Sequence, residues 1–409
     1  MRIELINTGS ELMLGFTVNT HPALIARALL EHGWRVDRQV AVADDRAELR
    51  AAVADSLQRA DLLILTGGLG PTSDDFTRDV VAELLGRKLV RDETVAAAIT
   101  ERVRRRGLRL LESLMVQALV PEGGQVLPNR NGTAPGLTLE HDGRLVILLP
   151  GPPRELRPMF QDQVLPLLHQ RYGKPPRLEC RVFKVVGLSE SAVEEKVAPA
   201  LREFAGLELG YCARAGEIEV RIVTADQSLA DRAEQRIREV LAENVYGIAE
   251  DRLEETVVKM LTAARRTIAT AESCTGGLIA SRLTNVSGSS AVFLNGWVTY
   301  SNESKQRDLG VTADALAKFG AVSEEVARQM AEGARARSGA DLALSATGIA
   351  GPTGGTDEKP VGLVYLALAT PHGTEVQRRL LAFDRETFKF FASQSALDLL
   401  RRELLRPSR

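Results

Sequence analysis

The residues best suited to chemistry lie in the stretch A-E-S-C-T-G-G at positions 271–277. The pattern predicts a strand that ends at Ala271 and an apolar helix that begins at Leu278, which puts Ser273 at the N-terminus of a helix. Backbone N–H groups are unpaired there and the helix dipole favours negative charge, so the turn suits a nucleophile that attacks a carbonyl group and donors that hold the oxyanion. The competing interpretation is that Ser273 only caps the helix.

A serine nucleophile needs a base, and no histidine occurs in residues 251–371. The stretch Y-S-N-E-S-K instead supplies Tyr300 and Lys305. A lysine serves as a base if burial or a nearby positive dipole lowers its pKa enough to leave it neutral. Lys305 as a surface residue is the alternative. Cys274 is a second candidate nucleophile because helix N-termini lower thiol pKa, although a buried, inert cysteine is the commoner case.

Two loops of similar sequence form a second group of candidates. L-L-I-L-T-G-G-L-G-P-T-S-D-D (62–75) and L-A-L-S-A-T-G-I-A-G-P-T-G-G-T-D (342–357) each run from a strand into a Thr-Gly turn. Glycines at the carboxyl end of a strand bring N–H groups close to an anion, and ligands of open α/β sheets bind there. Asp74 and Asp75 are suited to a hard divalent cation or to capping the next helix. The predicted phosphate-binding residues are Gly67, Gly68 and Gly70.

Alternating strands and helices are predicted to position these residues. Apolar strands that alternate with helices before residue 170 and again after residue 251 indicate sheets covered on both faces. A proline pair in Gly173–Pro176 indicates a linker. We therefore predict an α/β protein with two three-layer α/β domains, with mainly parallel or mixed sheets, joined by a small α+β module. The predicted boundaries are 1–172, 177–247 and 251–409.

Composition narrows the class of protein. A chain of 409 residues is too long for one ordinary domain. Its content of 44% hydrophobic and 26% charged residues is typical of globular proteins. Its net charge of −2 gives no sign of a nucleic-acid or membrane partner. Three widely spaced cysteines argue against a disulfide framework, and five scattered histidines argue against a zinc site. With no signal peptide or membrane-spanning run in the pattern, we expect a cytoplasmic protein.

Three motifs of the C-terminal region resemble the CinA family. They are A-E-S-C-T-G-G, F-L-N-G-W-V-T-Y-S-N-E-S-K and S-A-T-G-I-A-G-P-T-G-G, in that order. The resemblance implies a nicotinamide mononucleotide deamidase that needs no cofactor, with Ser273 as nucleophile and Tyr300 and Lys305 completing the catalytic group. We expect the oxyanion and the rest of the substrate to be held by Cys274, Thr275, Gly276, Gly277, Thr347 and Gly348.

The N-terminal region resembles the same family through I-N-T-G-S-E-L-M-L-G, T-G-G-L-G-P-T-S-D-D and P-G-P-P-R-E. It is similar to molybdopterin-binding domains of the MoaB and MogA type, which in CinA proteins implies a metal-dependent ADP-ribose pyrophosphatase. Asp74 and Asp75 are the expected metal ligands, and Glu11 and Glu155 are weaker candidates. The middle module resembles a KH domain without its GxxG loop, which favours a linking role.

These observations lead to two functional hypotheses. The first is an enzyme that acts on two small nucleotides, nicotinamide mononucleotide and ADP-ribose. We expect this enzyme to form a homodimer and to bind neither nucleic acid nor a membrane. The second is a nucleotide- or pterin-binding regulatory protein without amidase activity. Ammonia release from nicotinamide mononucleotide discriminates between them.

Overall fold

The structure, a computed structural model, describes residues 1–406. The chain divides into two compact units, one spanning Met1–Leu178 and the other beginning at Glu179. The predicted linker Gly173–Pro176 lies just before this division. Among the helices of the described chain, none is long and apolar enough to cross a membrane.

The first unit contains eight described strands and seven α-helices. The strands are β1 (Ile3–Thr8), β2 (Arg38–Val42), β3 (Leu62–Thr66), β4 (Leu89–Arg91), β5 (Leu119–Pro121), β6 (Gln125–Leu127), β7 (Gly136–His141) and β8 (Arg144–Leu149). The helices are α1 (Ser10–Met13), α2 (His21–Glu31), α3 (Arg46–Leu57), α4 (Thr77–Leu84), α5 (Glu93–Arg105), α6 (Pro153–Met159) and α7 (Leu165–Tyr172).

A six-stranded mixed sheet forms the centre of the first unit, in the order β2-β1-β3-β8-β7-β6. Strands β2, β1, β3 and β8 are parallel, whereas β7 and β6 run antiparallel to their neighbours. Alternate side chains of β1 enter two different cores: Ile3 and Leu5 pack with α2, α6 and α7, and Ile6 packs with α3 and α4. The sheet therefore lies between two helical layers, as predicted.

The second unit begins with the α+β module and continues into the second α/β sheet. Its strands are β9 (Glu179–Val185), β10 (Glu208–Arg214), β11 (Glu217–Thr224), β12 (Val245–Ile248), β13 (Ile268–Glu272), β14 (Phe293–Val298), β15 (Leu342–Gly348), β16 (Leu363–Thr370) and β17 (Gly373–Leu380). Its helices are α8 (Glu190–Leu201), α9 (Gln227–Leu241), α10 (Leu253–Ala264), α11 (Leu278–Thr284), α12 (Asn302–Leu309), α13 (Ala313–Phe319), α14 (Glu324–Ser338) and α15 (Arg385–Leu405).

The module is an antiparallel sheet in the order β10-β11-β9-β12, against which α8 and α9 pack. Val186 and Tyr246 of this module share a hydrophobic core with Leu253 of α10 and Ile268 of β13. The segments on either side of residues 247–251 are thus packed together, and a domain boundary at that position stays a prediction.

The second α/β sheet has the order β14-β13-β15-β16-β17. Strands β14, β13 and β15 are parallel, and β16 and β17 are antiparallel. Helices α10, α11 and α15 contribute to the core on one face, and α12, α13 and α14 contribute to the core on the other. Asp384 caps the last helix, because its carboxylate accepts hydrogen bonds from the N–H groups of Glu386 and Thr387.

Candidate active site

The nucleophile candidate lies where the parallel strands of the second unit end. Ser273 directly follows β13, and its N–H donates to the Ala346 carbonyl of the neighbouring strand β15 (2.8 Å). Strand β14 lies on the other side of β13 and leads through Thr299 and Tyr300 into α12. Since the carboxyl ends of parallel strands meet at one edge of the sheet, this order brings the turn after β13 next to α12.

Lys305 reaches the nucleophile from α12. Its Nζ donates to Ser273 Oγ at 3.1 Å and to the Thr299 carbonyl at 2.8 Å. The residue is only 1% exposed, and this burial lowers the pKa of Lys305 because the charged amine loses hydration. The structure therefore places Lys305 against Ser273 and not on the surface, in an environment that favours the neutral amine.

Glu272, the last residue of β13, was not among the predicted site residues. Its side chain is fully buried, and its Oε2 accepts from the N–H groups of Gly277 (2.9 Å) and Ile279 (3.1 Å), while Oε1 accepts from Ala280 (2.8 Å). The positive end of α11 is thus taken by a carboxylate. Of the two causes considered for a lowered pKa of Lys305, burial is the leading one.

The same contacts correct the predicted oxyanion donors. The N–H of Gly277 is bonded to Glu272, and the N–H of Gly276 donates to the Ser273 carbonyl at 3.1 Å. Within the described chain, no oxygen acceptor is bonded to the N–H groups of Cys274 or Thr275. Of the four expected donors, only Cys274 and Thr275 are therefore not bonded to a protein oxygen, and their N–H groups interact with the Cys274 thiol.

The competing nucleophile has an unfavourable environment. Cys274 is 6% exposed, and burial raises the pKa of its thiol to about 12. Because the thiolate is the reactive form, this cysteine has the properties of an inert core residue at neutral pH.

Tyr300 lies apart from the contact between serine and lysine. Its side chain is 62% exposed, and its hydroxyl accepts a hydrogen bond from Arg385 Nη2 at 2.7 Å. Arg385 also donates to the carbonyl of Gly351 at 3.0 Å, in the loop that follows β15. Tyr300 therefore does not bridge Ser273 and Lys305 in this structure, and its place in the catalytic group stays a prediction.

Thr347 and Gly348 are strand residues and not a free turn. They pair with Tyr365 and Val364 of β16, and the Thr347 hydroxyl donates to the Ala321 carbonyl at 2.8 Å. The expected free turn at Thr347 and Gly348 is therefore the end of a paired strand, and their part in holding the substrate stays a prediction.

Sequence reasoning also missed two cations beside the site, Arg385 and Lys389, one turn apart on α15. A Cβ atom added to Gly276 would lie 3.4 Å from Lys389 Nζ, so this amine approaches the nucleophile turn. The available signal was a pair of basic residues spaced i, i+4 in the first turns of the last helix.

The N-terminal candidates line one cavity of about 520 Å³. This volume falls within the usual range for small-molecule sites. Gly67 and Gly68 have φ of +98° and +64°, and an added Cβ would meet Thr8 O at 2.5 Å and Thr77 Oγ1 at 2.1 Å, so both positions require glycine. The predicted residues that line the cavity are Gly67, Gly68, Gly70, Asp74, Asp75, Glu11 and Glu155.

The carboxylates of this cavity do not form a complete metal site. Over residues 1–406, no group of three or more His, Cys, Asp or Glu side chains is arranged to hold a metal ion. The Asp75 carboxylate accepts from the Thr72 N–H at 3.0 Å and from the Thr72 hydroxyl. Neither Asp74 nor Asp75 caps α4, whose N-cap Phe76 forms no side-chain cap hydrogen bond.

Comparison with known proteins assigns the chain segment by segment. Residues 4–170 match a probable molybdopterin binding domain, residues 180–247 match the damage-inducible protein CinA KH domain, and residues 250–404 match the CinA C-terminal domain.

Relatives align along nearly the whole chain. A putative competence-damage inducible protein from Caldicellulosiruptor saccharolyticus is 44% identical over 99% of this chain and 100% of its own length. A CinA-like protein from Akkermansia muciniphila is 47% identical over 97% of this chain and 96% of its own. The solved structure of competence/damage inducible protein CihA from Agrobacterium tumefaciens is 44% identical, with a TM-score of 0.37, over 38% of this chain and 94% of that one. The chain therefore belongs to the CinA family.

Proposed function

We propose that the second unit hydrolyses the carboxamide of nicotinamide mononucleotide to give nicotinic acid mononucleotide and ammonia. The observation that carries this proposal is the 3.1 Å contact between Lys305 Nζ and Ser273 Oγ, with the lysine 1% exposed. A serine beside a buried lysine with a lowered pKa is an activated nucleophile suited to an amide carbonyl.

The proposed reaction has two stages. Ser273 Oγ attacks the carboxamide carbon while the neutral Lys305 amine takes the hydroxyl proton, and the N–H groups of Cys274 and Thr275 stabilise the oxyanion. Lys305 returns that proton to the leaving nitrogen, so ammonia departs and an ester remains on Ser273. Water then attacks the ester with Lys305 again as base, and the carboxylic acid leaves as Ser273 is regenerated. This sequence uses no cofactor.

Recognition of a mononucleotide requires a site for its phosphate. Arg385 and Lys389 provide positive charge beside Tyr300 and Gly276, and a guanidinium has more donors than the two that Arg385 uses here. We assign the phosphate to these cations. Tyr300, which is exposed beside Arg385, is then placed to contact the substrate, and its part in the catalytic group depends on a bound ligand.

Ammonia release from nicotinamide mononucleotide by the full chain tests this function. Ser273→Ala should lose about 10³-fold or more in turnover, as expected for a removed nucleophile. Ser290→Ala, a change at an exposed serine of the same unit, is the matched control and should retain native turnover. Binding of the nucleotide without ammonia release would instead support the regulatory-protein alternative.

For the first unit we propose a second activity, hydrolysis of the diphosphate of ADP-ribose. The support is the cavity of about 520 Å³, lined by Gly67, Gly68 and Gly70 and by the basic side chains of Arg106 and Arg154. Mg²⁺ commonly takes one or two carboxylates together with substrate phosphates, so Asp74 and Asp75 fit a cation that arrives with the diphosphate and not one held by protein alone. ADP-ribose turnover with and without Mg²⁺ tests this proposal.

The setting of both activities is also a proposal. We expect a homodimer in the cytoplasm that acts on small nucleotides and not on nucleic acid. Sedimentation of the full chain measures the first of these, and localisation of the tagged protein measures the second.

A further inference from the structure

We propose that Glu272 is a positioning residue that holds the nucleophile and the base in register; its kinetic readout rests on the proposed deamidase function. Both oxygens of its fully buried carboxylate accept backbone N–H groups from the turn and first residues of α11, at 2.8–3.1 Å. These bonds fix the C-terminal end of the turn that begins at Ser273. The bond from Ser273 N–H to Ala346 fixes its other end.

The main chain of Glu272 connects the same residue to the base. The Glu272 carbonyl accepts from the Thr299 N–H at 2.9 Å, and the Thr299 carbonyl accepts from Lys305 Nζ at 2.8 Å. Ser273 is the next residue in the chain. Glu272 is thus joined to Ser273 by a peptide bond and to Thr299 by a hydrogen bond, and the Thr299 carbonyl orients Lys305.

A carboxylate is required at this position because three donors converge on it. A buried anion is costly unless it is hydrogen-bonded, and bonds from N–H groups to a charged acceptor are stronger than those to a neutral one. An amide in its place has one accepting oxygen, and its NH₂ group would face one of the three N–H donors. Glu272→Gln therefore keeps the shape of the side chain but loses at least one anchor of the turn.

Kinetics and active-site labelling of the full chain test this role. Misplacement of reacting groups by about 1 Å costs about 10²-fold, so we expect Glu272→Gln to lower kcat about 10²-fold with little change in KM. Labelling of Ser273 by a fluorophosphonate, followed by mass spectrometry, should slow by a similar factor. Amide hydrogen exchange at Gly277 and Ala280 should accelerate in the variant.

Asp341→Asn is the matched control, because Asp341 accepts from the Thr267 N–H and hydroxyl at the opposite end of β13. It should lower the melting temperature without slowing the labelling of Ser273. Equal slowing by Asp341→Asn, or native labelling of Ser273 in folded Glu272→Gln, overturns the positioning role. If Glu272→Gln does not fold, Glu272→Asp, which keeps the charge on a shorter side chain, is measured in the same kinetic and labelling assays.

The labelling measurement also separates the two proposals. If wild-type protein is labelled at Ser273 but releases no ammonia from nicotinamide mononucleotide, the proposed function fails while the labelling rates still decide the role of Glu272. If ammonia is released and labelling is insensitive to Glu272→Gln, only the positioning role fails.

Discussion

Replacement of Lys305 by methionine is the sharpest test of the proposed base. Lys305 is 1% exposed, and its Nζ contacts two oxygens, those of Ser273 and Thr299. Methionine fills a similar volume without an amine, so the change removes proton transfer with little loss of packing. General-base catalysis contributes about 10²–10⁴-fold, and we expect a loss of turnover within that range. Lys305→Arg should be nearly as damaging, because a guanidinium does not deprotonate in proteins.

The pH dependence of the deamidase rate tests the direction of the pKa shift of Lys305. Burial lowers the pKa of Lys305 below its unperturbed value of about 10.4, and only the neutral amine accepts the serine proton. kcat/KM for nicotinamide mononucleotide should therefore rise with pH, tenfold per unit below the folded-state pKa, and level off above it.

Stability supplies an independent check on the same residue. Between the folded-state pKa and about 10.4 the unfolded chain binds one more proton at Lys305, so the free energy of unfolding rises with pH across that window. Below that window the buried, protonated lysine destabilises the folded state. Lys305→Met removes this destabilisation and should unfold at the same or a higher temperature than wild type at neutral pH.

Steady-state ammonia release and thermal unfolding, measured together across pH, decide between a base and a structural lysine. Lys318→Met, at an exposed lysine of α13, is the matched control and should change neither measurement. Retention of most of the native rate by Lys305→Arg would show that the residue acts only as a positive charge.

Three further outcomes are expected. Cys274→Ala should keep most deamidase activity, because its thiol is protonated at neutral pH, and a loss comparable to that of Ser273→Ala would move the nucleophile to the cysteine. Asp74→Ala combined with Asp75→Ala should abolish any metal-dependent ADP-ribose hydrolysis and leave ammonia release unchanged; a parallel loss of ammonia release in folded protein would contradict independent sites. Burial and the nearby His169 lower the pKa of His32, so below about pH 6.5 the unfolded state binds more protons and the melting temperature should fall as the pH falls. His32→Gln should make the melting temperature less dependent on pH in this range. An unchanged pH dependence in the variant would refute the role of His32.

The local order of strand, turn and helix at the candidate site was accessible to sequence reasoning. A strand, a turn and a helix follow one another within residues 268–284, and the turn residues between Ser273 and Gly277 are adjacent in the chain. Hydrophobic periodicity and glycine positions report such short-range order directly. The alternation of strands and helices in both α/β regions followed from the same pattern.

The errors at the site concern side chains that had several possible hydrogen-bond partners. Glu272 entered the sequence analysis only as a letter of the A-E-S-C-T-G-G motif, yet its carboxylate occupies the helix end that was expected to bind an anion. Tyr300 was expected to complete the catalytic group with Lys305, but its hydroxyl is bonded to Arg385, which is 85 residues further along the chain. Such competition depends on distances that the local pattern does not contain.

By itself, the sequence determined the class of fold, the residues proposed as nucleophile and base, and the glycine turns at the ends of strands. Only the tertiary structure decided that Lys305 is buried against Ser273, that burial raises the pKa of the Cys274 thiol, and that the Glu272 carboxylate bonds the N–H groups at the start of α11. The physical reason is strand order: β13 lies between β14, the next strand in the chain, and β15, which follows only after three more helices. Which groups lose their hydration and which donors find an acceptor follows from that arrangement, and not from spacing along the sequence.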